Sequence, residues 1–221
     1  MTDRGRLPTW RSLLTVIAHP DDESFGLGAI LSTFADQGTA LAVLCLTRGE
    51  ASTLHGVAGD LSDIRAAELA AAKVLGVSTV QLLDYPDGNL ADTPAAELAV
   101  PVVELAQRSS AQGLLAFDAA GVTAHPDHRQ ATAAALAATT NTGLPVLGWT
   151  LPATVADIFN AEYDTSFIGH EPSDIVLVVP VDRHRQYEAI RHHRSQALPT
   201  SVLWRRLELL GFDEYLRWLH V

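Results

Sequence analysis

The sequence predicts an α/β fold, because short, continuously apolar segments alternate with stretches of helical length. Strands that are apolar along their whole length are typical of a parallel sheet covered by helices on both faces. We therefore expect a Rossmann-like three-layer sandwich with a mainly parallel sheet and an elaborated C-terminal part. A chain of 221 residues fits one domain, and the prediction is a single domain over residues 1–221.

The elements follow from hydrophobic runs and from the residues that bound them. The predicted strands are Leu13–Ala18, Leu41–Thr47, Val80–Asp84, Leu114–Phe117, Val146–Leu151 and Ile175–Val181. The predicted helices are Ser24–Asp36, Leu61–Leu75, Pro94–Arg108, Pro126–Thr140, Asp182–Gln196 and Val202–Leu219. Proline is favoured at the first helical position and glycine just after the last, as Pro126 and Gly76 illustrate. The polar stretch 153–173 has no predicted element, and the Gly- and Ala-rich stretch 51–60 is expected to be a loop beside the site.

Composition excludes several classes of protein. The chain has 15 basic and 26 acidic residues, a net charge of −11, which argues against nucleic-acid binding and against an anionic membrane surface. The lone Cys45 excludes an internal disulfide and a cysteine-based zinc site, and we expect it to be a buried small hydrophobe. The apolar run Leu13–Ala18 is too short for a membrane span or a signal peptide. These features predict a cytoplasmic protein.

The first informative motif directly follows the first predicted strand and reads Ala-His-Pro-Asp-Asp-Glu-Ser over residues 18–24. Acidic residues at the start of a helix are ordinary because they complement the helix dipole, so Glu23 and Ser24 could simply be capping residues. That interpretation does not explain why His19 and two adjacent aspartates share one turn. Crowded like charges indicate a bound cation or a functional requirement.

A second motif, His-Pro-Asp-His over residues 125–128, follows the strand Leu114–Phe117 and opens the next helix. Because the carboxyl ends of parallel strands lie at one edge of a sheet, we expect both motifs to form one site. Two imidazoles and one carboxylate are a typical ligand set for catalytic zinc and leave one position open for water. A further carboxylate can then act as the general base, so the residues predict a metal-dependent hydrolase.

On these two motifs the sequence resembles the PIG-L/LmbE-like family of zinc-dependent N-deacetylases, which act on N-acetylglucosamine-containing molecules. Weaker matches run in the family's order as far as residue 196. They are Thr47-Arg48-Gly49-Glu50, Arg65 with Glu68, Leu75-Gly76-Val77, Asp87-Gly88 and His193-Arg194-Ser195-Gln196. The resemblance implies hydrolysis of an N-acyl group, typically acetyl, on an amino-sugar-containing small molecule.

The resemblance further implies that His19, Asp22 and His128 bind the metal. Zinc is the expected ion, and other divalent ions such as Fe²⁺ also suit such a set. Asp21 becomes the general base that activates the zinc-bound water. The implied partner is the small-molecule substrate alone, and the oligomeric state, including a homo-oligomer, stays open.

Five further residues receive roles from the same resemblance. His125 is expected to stabilise the oxyanion or to protonate the leaving amine, and Asp127 to orient it. Arg65 and Asp87 match positions that bind sugar hydroxyls in the family. His193 is expected to line the substrate pocket.

Four alternatives compete with this prediction. An amidase of the same fold that acts on a non-sugar amide fits the same motifs. A nucleotide-binding Rossmann protein would use Gly26 and Gly28, but Leu31 replaces the third glycine and the glycines lie too far from the strand. We interpret these glycines as allowing close packing of the helix on the sheet. An iron oxygenase fits the donor set but not the predicted βα alternation, and a non-catalytic binding protein has no need of the spare base Asp21.

Overall fold

The computed structural model describes residues 5–53 and 58–221. Its strands are β1 Ser12–Ile17, β2 Ala40–Thr47, β3 Val77–Tyr85, β4 Leu114–Phe117, β5 Val146–Thr150, β6 Leu177–Pro180 and β7 Asp213–His220. Its α-helices are α1 Asp22–Phe25, α2 Gly28–Asp36, α3 Leu61–Glu68, α4 Ala95–Arg108, α5 Pro126–Thr142, α6 Ala153–Tyr163, α7 His184–Ile190 and α8 Val202–Leu210. Two 3₁₀ segments, Leu69–Leu75 and Leu90–Asp92, complete the elements described.

The seven strands form one sheet in the order β3-β2-β1-β4-β5-β7-β6. Strands β1 to β5 are mutually parallel, and β7 runs antiparallel between β5 and β6. The chain winds outward from β1 to β3 and then returns to place β4 on the other side of β1. A crevice opens at such a reversal, outside the carboxyl ends of the strands, and ligands of α/β sheets bind there.

Every residue of β1 is buried because the sheet is covered on both faces. Leu13 and Ile17 point into one apolar cluster, while Leu14 and Val16 point into the other. The first cluster includes residues of α2, α7 and α8, and the second includes residues of α4 and α5. The predicted α/β sandwich with a mainly parallel sheet is therefore confirmed.

The C-terminal part contains the main errors of the secondary-structure prediction. The predicted helix Val202–Leu219 is wrong beyond Leu210, because Gly211 adopts a positive φ of 55° and ends α8. The chain continues as β7, in which Glu214 and Leu216 are buried while their neighbours are partly exposed. Burial of every second residue is typical of a strand. The preceding helical pattern conceals this period in the sequence.

Other boundaries also differ from the prediction. The unassigned stretch 153–173 contains α6, which ends where Asp164 adopts the left-handed conformation. The predicted helix Asp182–Gln196 is regular only over α7, and turns follow it. Residues 54–57 of the predicted loop 51–60 lie outside the described residues. Among the residues described, no helix combines the length and apolarity that a bilayer crossing requires.

Candidate active site

A cavity of about 470 Å³ lies where the segments after β1 and β4 meet. Both sequence motifs contribute side chains to its wall, as the single-site prediction requires. The chemically active groups on the wall are His19, Asp21, Asp22, Asp87, His125 and His128. Gly26 is needed beside them, because a Cβ there would come within 2.7 Å of the Phe117 ring in β4. The expected close approach of this helical segment to the sheet is thus present at Gly26.

His19, Asp22 and His128 converge on one point and could hold a metal ion. His128 Nε2 lies 3.2 Å from His19 Nδ1 and 3.1 Å from Asp22 Oδ1. Ligand atoms bound about 2.0–2.1 Å from a tetrahedral zinc ion are roughly 3.3 Å apart. The spacing of the three donors therefore fits one tetrahedral ion and leaves room for a fourth ligand.

The outer contacts of the two histidines direct the correct nitrogens towards that point. His19 Nε2 lies 2.9 Å from Asp87 Oδ1 and 3.3 Å from Asp127 Oδ2, so in the neutral ring that binds a metal Nε2 carries the proton and the lone pair is on Nδ1. His128 Nδ1 lies 2.9 Å from Thr123 Oγ1 and 3.4 Å from the Gly121 carbonyl oxygen, which leaves the Nε2 lone pair free. Metal-binding histidines in proteins are oriented in this way by carboxylates and carbonyls.

The electrostatics of the cluster favour a cation. Burial alone lowers the pKa of His19, but hydrogen bonds to Asp127 and Asp87 outweigh it and raise the pKa to about 10. Burial alone raises the pKa of Asp22, yet the nearby His128 and His19 hold it below its ordinary value. The carboxylates thus stabilise positive charge at the point where the three donors meet.

Asp21 lies beside this point with a backbone φ of 143°, which is rare for a residue with a side chain. Its Oδ2 forms an ion pair with Arg65 Nη2 at 2.9 Å, and its N–H donates to Glu23 Oε2 at 3.0 Å. Burial raises the pKa of Asp21 to about 6, although the charge of Arg65 opposes the rise. A carboxylate with a raised pKa, held beside a metal site, is suited to accept a proton from water.

Arg65 and Asp87 both line the cavity, as expected of substrate-binding residues, but their visible partners are protein groups. Besides Asp21, the Arg65 guanidinium donates to Gly49 O at 2.7 Å and to Pro20 O at 2.9 Å. Asp87 Oδ2 accepts the N–H of Ala51 at 2.8 Å. The predicted contacts of Arg65 and Asp87 with sugar hydroxyls therefore stay predictions. In the structure, Arg65 holds Asp21 in position and Asp87 holds His19.

His125 occupies the cavity wall with its ring centre 4.9 Å from that of His19. Burial lowers its pKa, and the nearby His19 and His128 lower it further. Its Nδ1 accepts the N–H of Asp127 at 3.2 Å, so the neutral ring carries its proton on Nε2. A neutral imidazole with an available N–H can donate to a developing oxyanion.

Two predicted roles do not match the observed contacts. The carboxylate of Asp127 was expected to orient His125, but it contacts His19 and accepts the N–H groups of Gly88 and Leu90. The side chain is fully buried because it braces the loop after β3 beneath the metal-binding point. Only its backbone N–H orients His125.

His193 was expected to line the pocket and does not. The side chain is fully buried behind the first motif, with its Nε2 2.8 Å from Glu23 Oε1 and 3.0 Å from Ser24 Oγ. Because Glu23 also accepts the N–H of Asp21, this network supports the strained turn. Glu23 and Thr123 were missed as positioning residues; Glu23 could have been suspected from its place in the motif, whereas nothing local marks Thr123.

The sequence model of the GlcNAc-PI de-N-acetylase (PIG-L) family matches residues 14–139, a range that holds both motifs. The chain belongs to this family. The predicted resemblance is thereby confirmed. The segments from β5 onward lie beyond the match, although residues 167, 196, 201–203 and 206 complete the cavity wall.

Curated relatives and solved structures agree with this membership. Proteins of Kineococcus radiotolerans (30% identical over 70% of this chain) and Salinispora arenicola (32% over 92%) are both named 1D-myo-inositol 2-acetamido-2-deoxy-alpha-D-glucopyranoside deacetylase. The match spans 52% of the first relative's length and 82% of the second's. The crystal structure of a pseudoaglycone deacetylase of an antimicrobial reagent superposes with a TM-score of 0.73 at 21% identity, covering 98% of this chain and 97% of that one. At that identity the likeness shows the shared fold.

Proposed function

We propose that this protein is a zinc-dependent N-deacetylase that hydrolyses the acetamide of an amino-sugar-containing small molecule. The observation that carries the proposal is the juxtaposition of three metal donors with an unligated carboxylate on one cavity wall. The donors lie 3.1–3.7 Å apart, and Asp21 stands beside them, paired with Arg65. The two deacetylase relatives support the choice of an acetylated amino sugar.

In this proposal His19, Asp22 and His128 hold the ion. Zinc bound there supplies a Lewis acid for the amide carbonyl and lowers the pKa of water. Asp21 accepts the proton of the attacking water, and Arg65 keeps its carboxylate in place. As the C–O bond forms, the Nε2–H group of His125 donates a hydrogen bond to the carbonyl oxygen, which becomes negatively charged.

Collapse of the tetrahedral intermediate breaks the C–N bond. The nitrogen needs a proton to leave as an amine, and Asp21 holds the proton that it took from water. Transfer of this proton releases the free amine and acetic acid, which loses its own proton to solvent, and restores the Asp21 carboxylate. A single positioned carboxylate can thus serve as base and then as acid.

The test is release of primary amine from N-acetylglucosaminyl-inositol, N,N′-diacetylchitobiose and N-acetylglucosamine. Protein stripped with a chelator is compared with the same protein reloaded with zinc. We expect release from at least one compound that depends on reloading. Asp21→Asn should retain bound metal but slow turnover by about 10²–10⁴-fold, the usual contribution of a general base.

Asp36→Asn is the matched control, because Asp36 is exposed on α2 and pairs with Arg185 far from the cavity. It should hydrolyse at the rate of the unchanged protein. Full activity of Asp21→Asn would refute the assigned mechanism. No release from these neutral compounds or from anionic N-acetylglucosamine derivatives, with zinc bound, would refute the amino-sugar substrate and favour an amidase acting on other amides.

A further inference from the structure

One arginine on the cavity wall lacks the acidic partner that the other buried arginines have. Arg65, Arg183 and Arg206 are the arginines that are nearly inaccessible to solvent within residues 5–53 and 58–221. Arg65 pairs with Asp21 and Arg183 with Glu214. Arg206, 7% exposed on α8, has no carboxylate within ion-pair distance among the same residues.

The protein contacts of Arg206 leave most of its donor groups unused. One Nη2–H donates to the Phe25 carbonyl oxygen at 2.5 Å, and the guanidinium carbon lies 5.1 Å from the centre of the Trp149 ring. The buried Nε has no hydrogen-bond partner in the part of the chain described. A guanidinium carries five N–H donors, and it binds carboxylates and phosphates through two of them at once.

The acid with the largest electrostatic effect on Arg206, Glu214, is already occupied. Glu214 accepts a hydrogen bond from Trp149 Nε1 on one oxygen and pairs with Arg183 through the other. The cluster of Arg183, Arg206 and Glu214 therefore holds one more positive than negative charge. Burial lowers the pKa of Arg206 to about 10, opposed by Glu214, so the guanidinium stays charged at neutral pH.

Arg206 lines the cavity together with the apolar side chains of Phe25, Phe117, Phe167 and Leu203. A continuous path of rings joins it to the metal-binding point. Successive separations are 4.7 Å from His128 to Phe117, 5.0 Å from Phe117 to Trp149 and 5.1 Å from Trp149 to the guanidinium carbon. The guanidinium therefore lies no farther from His128 than these three steps placed end to end, and both side chains line the same cavity.

We propose that Arg206 binds an anionic group, a carboxylate or a phosphate, on the part of the substrate remote from the acetamide. The inference rests on the proposed deacetylase activity and narrows its substrates to negatively charged amino-sugar derivatives. An unpaired buried charge is costly to a protein, and a substrate anion that pairs with it removes that cost in the complex. The same charge selects against neutral sugars.

The test compares three probes that share the acetamide. N-acetylglucosamine 1-phosphate carries a phosphate, N-acetylmuramic acid carries a carboxylate, and methyl N-acetylglucosaminide is neutral. Binding to the zinc-loaded protein is measured by calorimetry, and amine release gives kcat/KM separately. We expect at least one anionic probe to bind about 10- to 100-fold more tightly than the neutral one, as charged hydrogen bonds allow.

The Arg206→Met variant should lose this preference, so that anionic and neutral probes bind equally. Arg206→Lys keeps the positive charge but cannot bind an anion through two parallel N–H groups, so it should retain part of the preference. This variant also keeps the inference testable if Arg206→Met folds poorly. Arg205→Met is the matched control, because Arg205 is the partly exposed neighbour that pairs with Glu162 and Glu208. It should retain the full preference.

Three outcomes would overturn the inference. Equal binding of all probes to the unchanged protein would show that the cavity does not select for charge. An anion preference that survives in Arg206→Met would place the anion elsewhere, for example on the metal. Tight anion binding without any amine release would refute the deacetylase proposal but leave the anion site in place, because calorimetry does not depend on turnover.

Discussion

The two sides of the cavity differ in how the chain builds them. The metal-binding side consists of the short segments after β1 and β4, where His19, Asp21 and Asp22 lie within four consecutive residues. The second side is the part of the wall formed by residues 201–203 and 206, and Arg206 meets Phe25 across 181 positions of sequence. The comparison teaches that the proposed chemistry comes from two short motifs that the sheet topology brings together, whereas the proposed selection of substrate depends on side-chain packing that no short motif specifies.

The largest expected effect is a loss of zinc affinity when a residue of the metal-binding side is changed. His128→Ala removes a donor that stands 3.1–3.2 Å from the other two. We expect zinc affinity to fall by more than about 100-fold, because even altered outer contacts of a metal ligand typically cost 10- to 100-fold. Metal content after dialysis, measured by atomic emission, checks this.

His184→Ala is the matched control for that experiment. His184 is exposed at the start of α7, in the C-terminal part. Full zinc occupancy in His128→Ala, or loss of zinc in His184→Ala, would break the proposed division between the two sides.

The next effect is on stability and belongs to the C-terminal part. Glu214→Gln leaves Arg183 buried without its ionic partner, and breaking a buried pair from one side commonly costs 3–5 kcal/mol. Since Arg183 also donates to backbone oxygens and to Gln186, we expect a loss of about 3 kcal/mol, at the low end of that range. Urea denaturation measures the free energy of unfolding.

Glu162→Gln provides the comparison, because Glu162 pairs with Arg205 at the surface. Exposed pairs contribute little, so this variant should unfold at nearly the same urea concentration as the unchanged protein. Folded Glu214→Gln should still bind zinc in full. If it does not, the metal-binding side depends on the C-terminal packing and the two sides are not separable.

The meeting of the candidate metal ligands could be predicted from the sequence because parallel strands place their carboxyl ends together. His19 directly follows the apolar segment of β1, and His128 sits in the first turn of α5, so topology alone brings them to one edge. Asp127 and His193 were misplaced for the opposite reason. Their partners, His19 and Glu23, lie 108 and 170 positions away, and no local pattern specifies such contacts.

The strand β7 shows the same limit at the level of secondary structure. Residues 202–210 repeat apolar side chains at helical spacing, and this pattern conceals the change of period after Gly211. Which period applies is decided by the free edge of β5, with which β7 pairs. The partner strands β5 and β6, which are distant in the sequence, therefore decide the conformation of this segment.

The smallest expected effect is on the rate at which a thiol reagent labels Cys45. It tests whether the sheet and α8 share one core. Cys45 in β2 and Leu210 in α8 belong to the same apolar cluster. Burial raises the pKa of the Cys45 thiol and shields it, so a thiol reagent should label it only when the protein opens. Ser201→Ala removes the side-chain cap of α8 and should cost about 1 kcal/mol.

If the regions open together, Ser201→Ala should accelerate labelling of Cys45 about fivefold, the factor that corresponds to about 1 kcal/mol. The rate is measured with a chromogenic disulfide in the absence of denaturant. Unchanged labelling, despite a lower free energy of unfolding in urea, would mean that α8 opens independently of the sheet. The side of the cavity that carries Arg206 could then move while the metal donors stay fixed, and a shared core would be refuted.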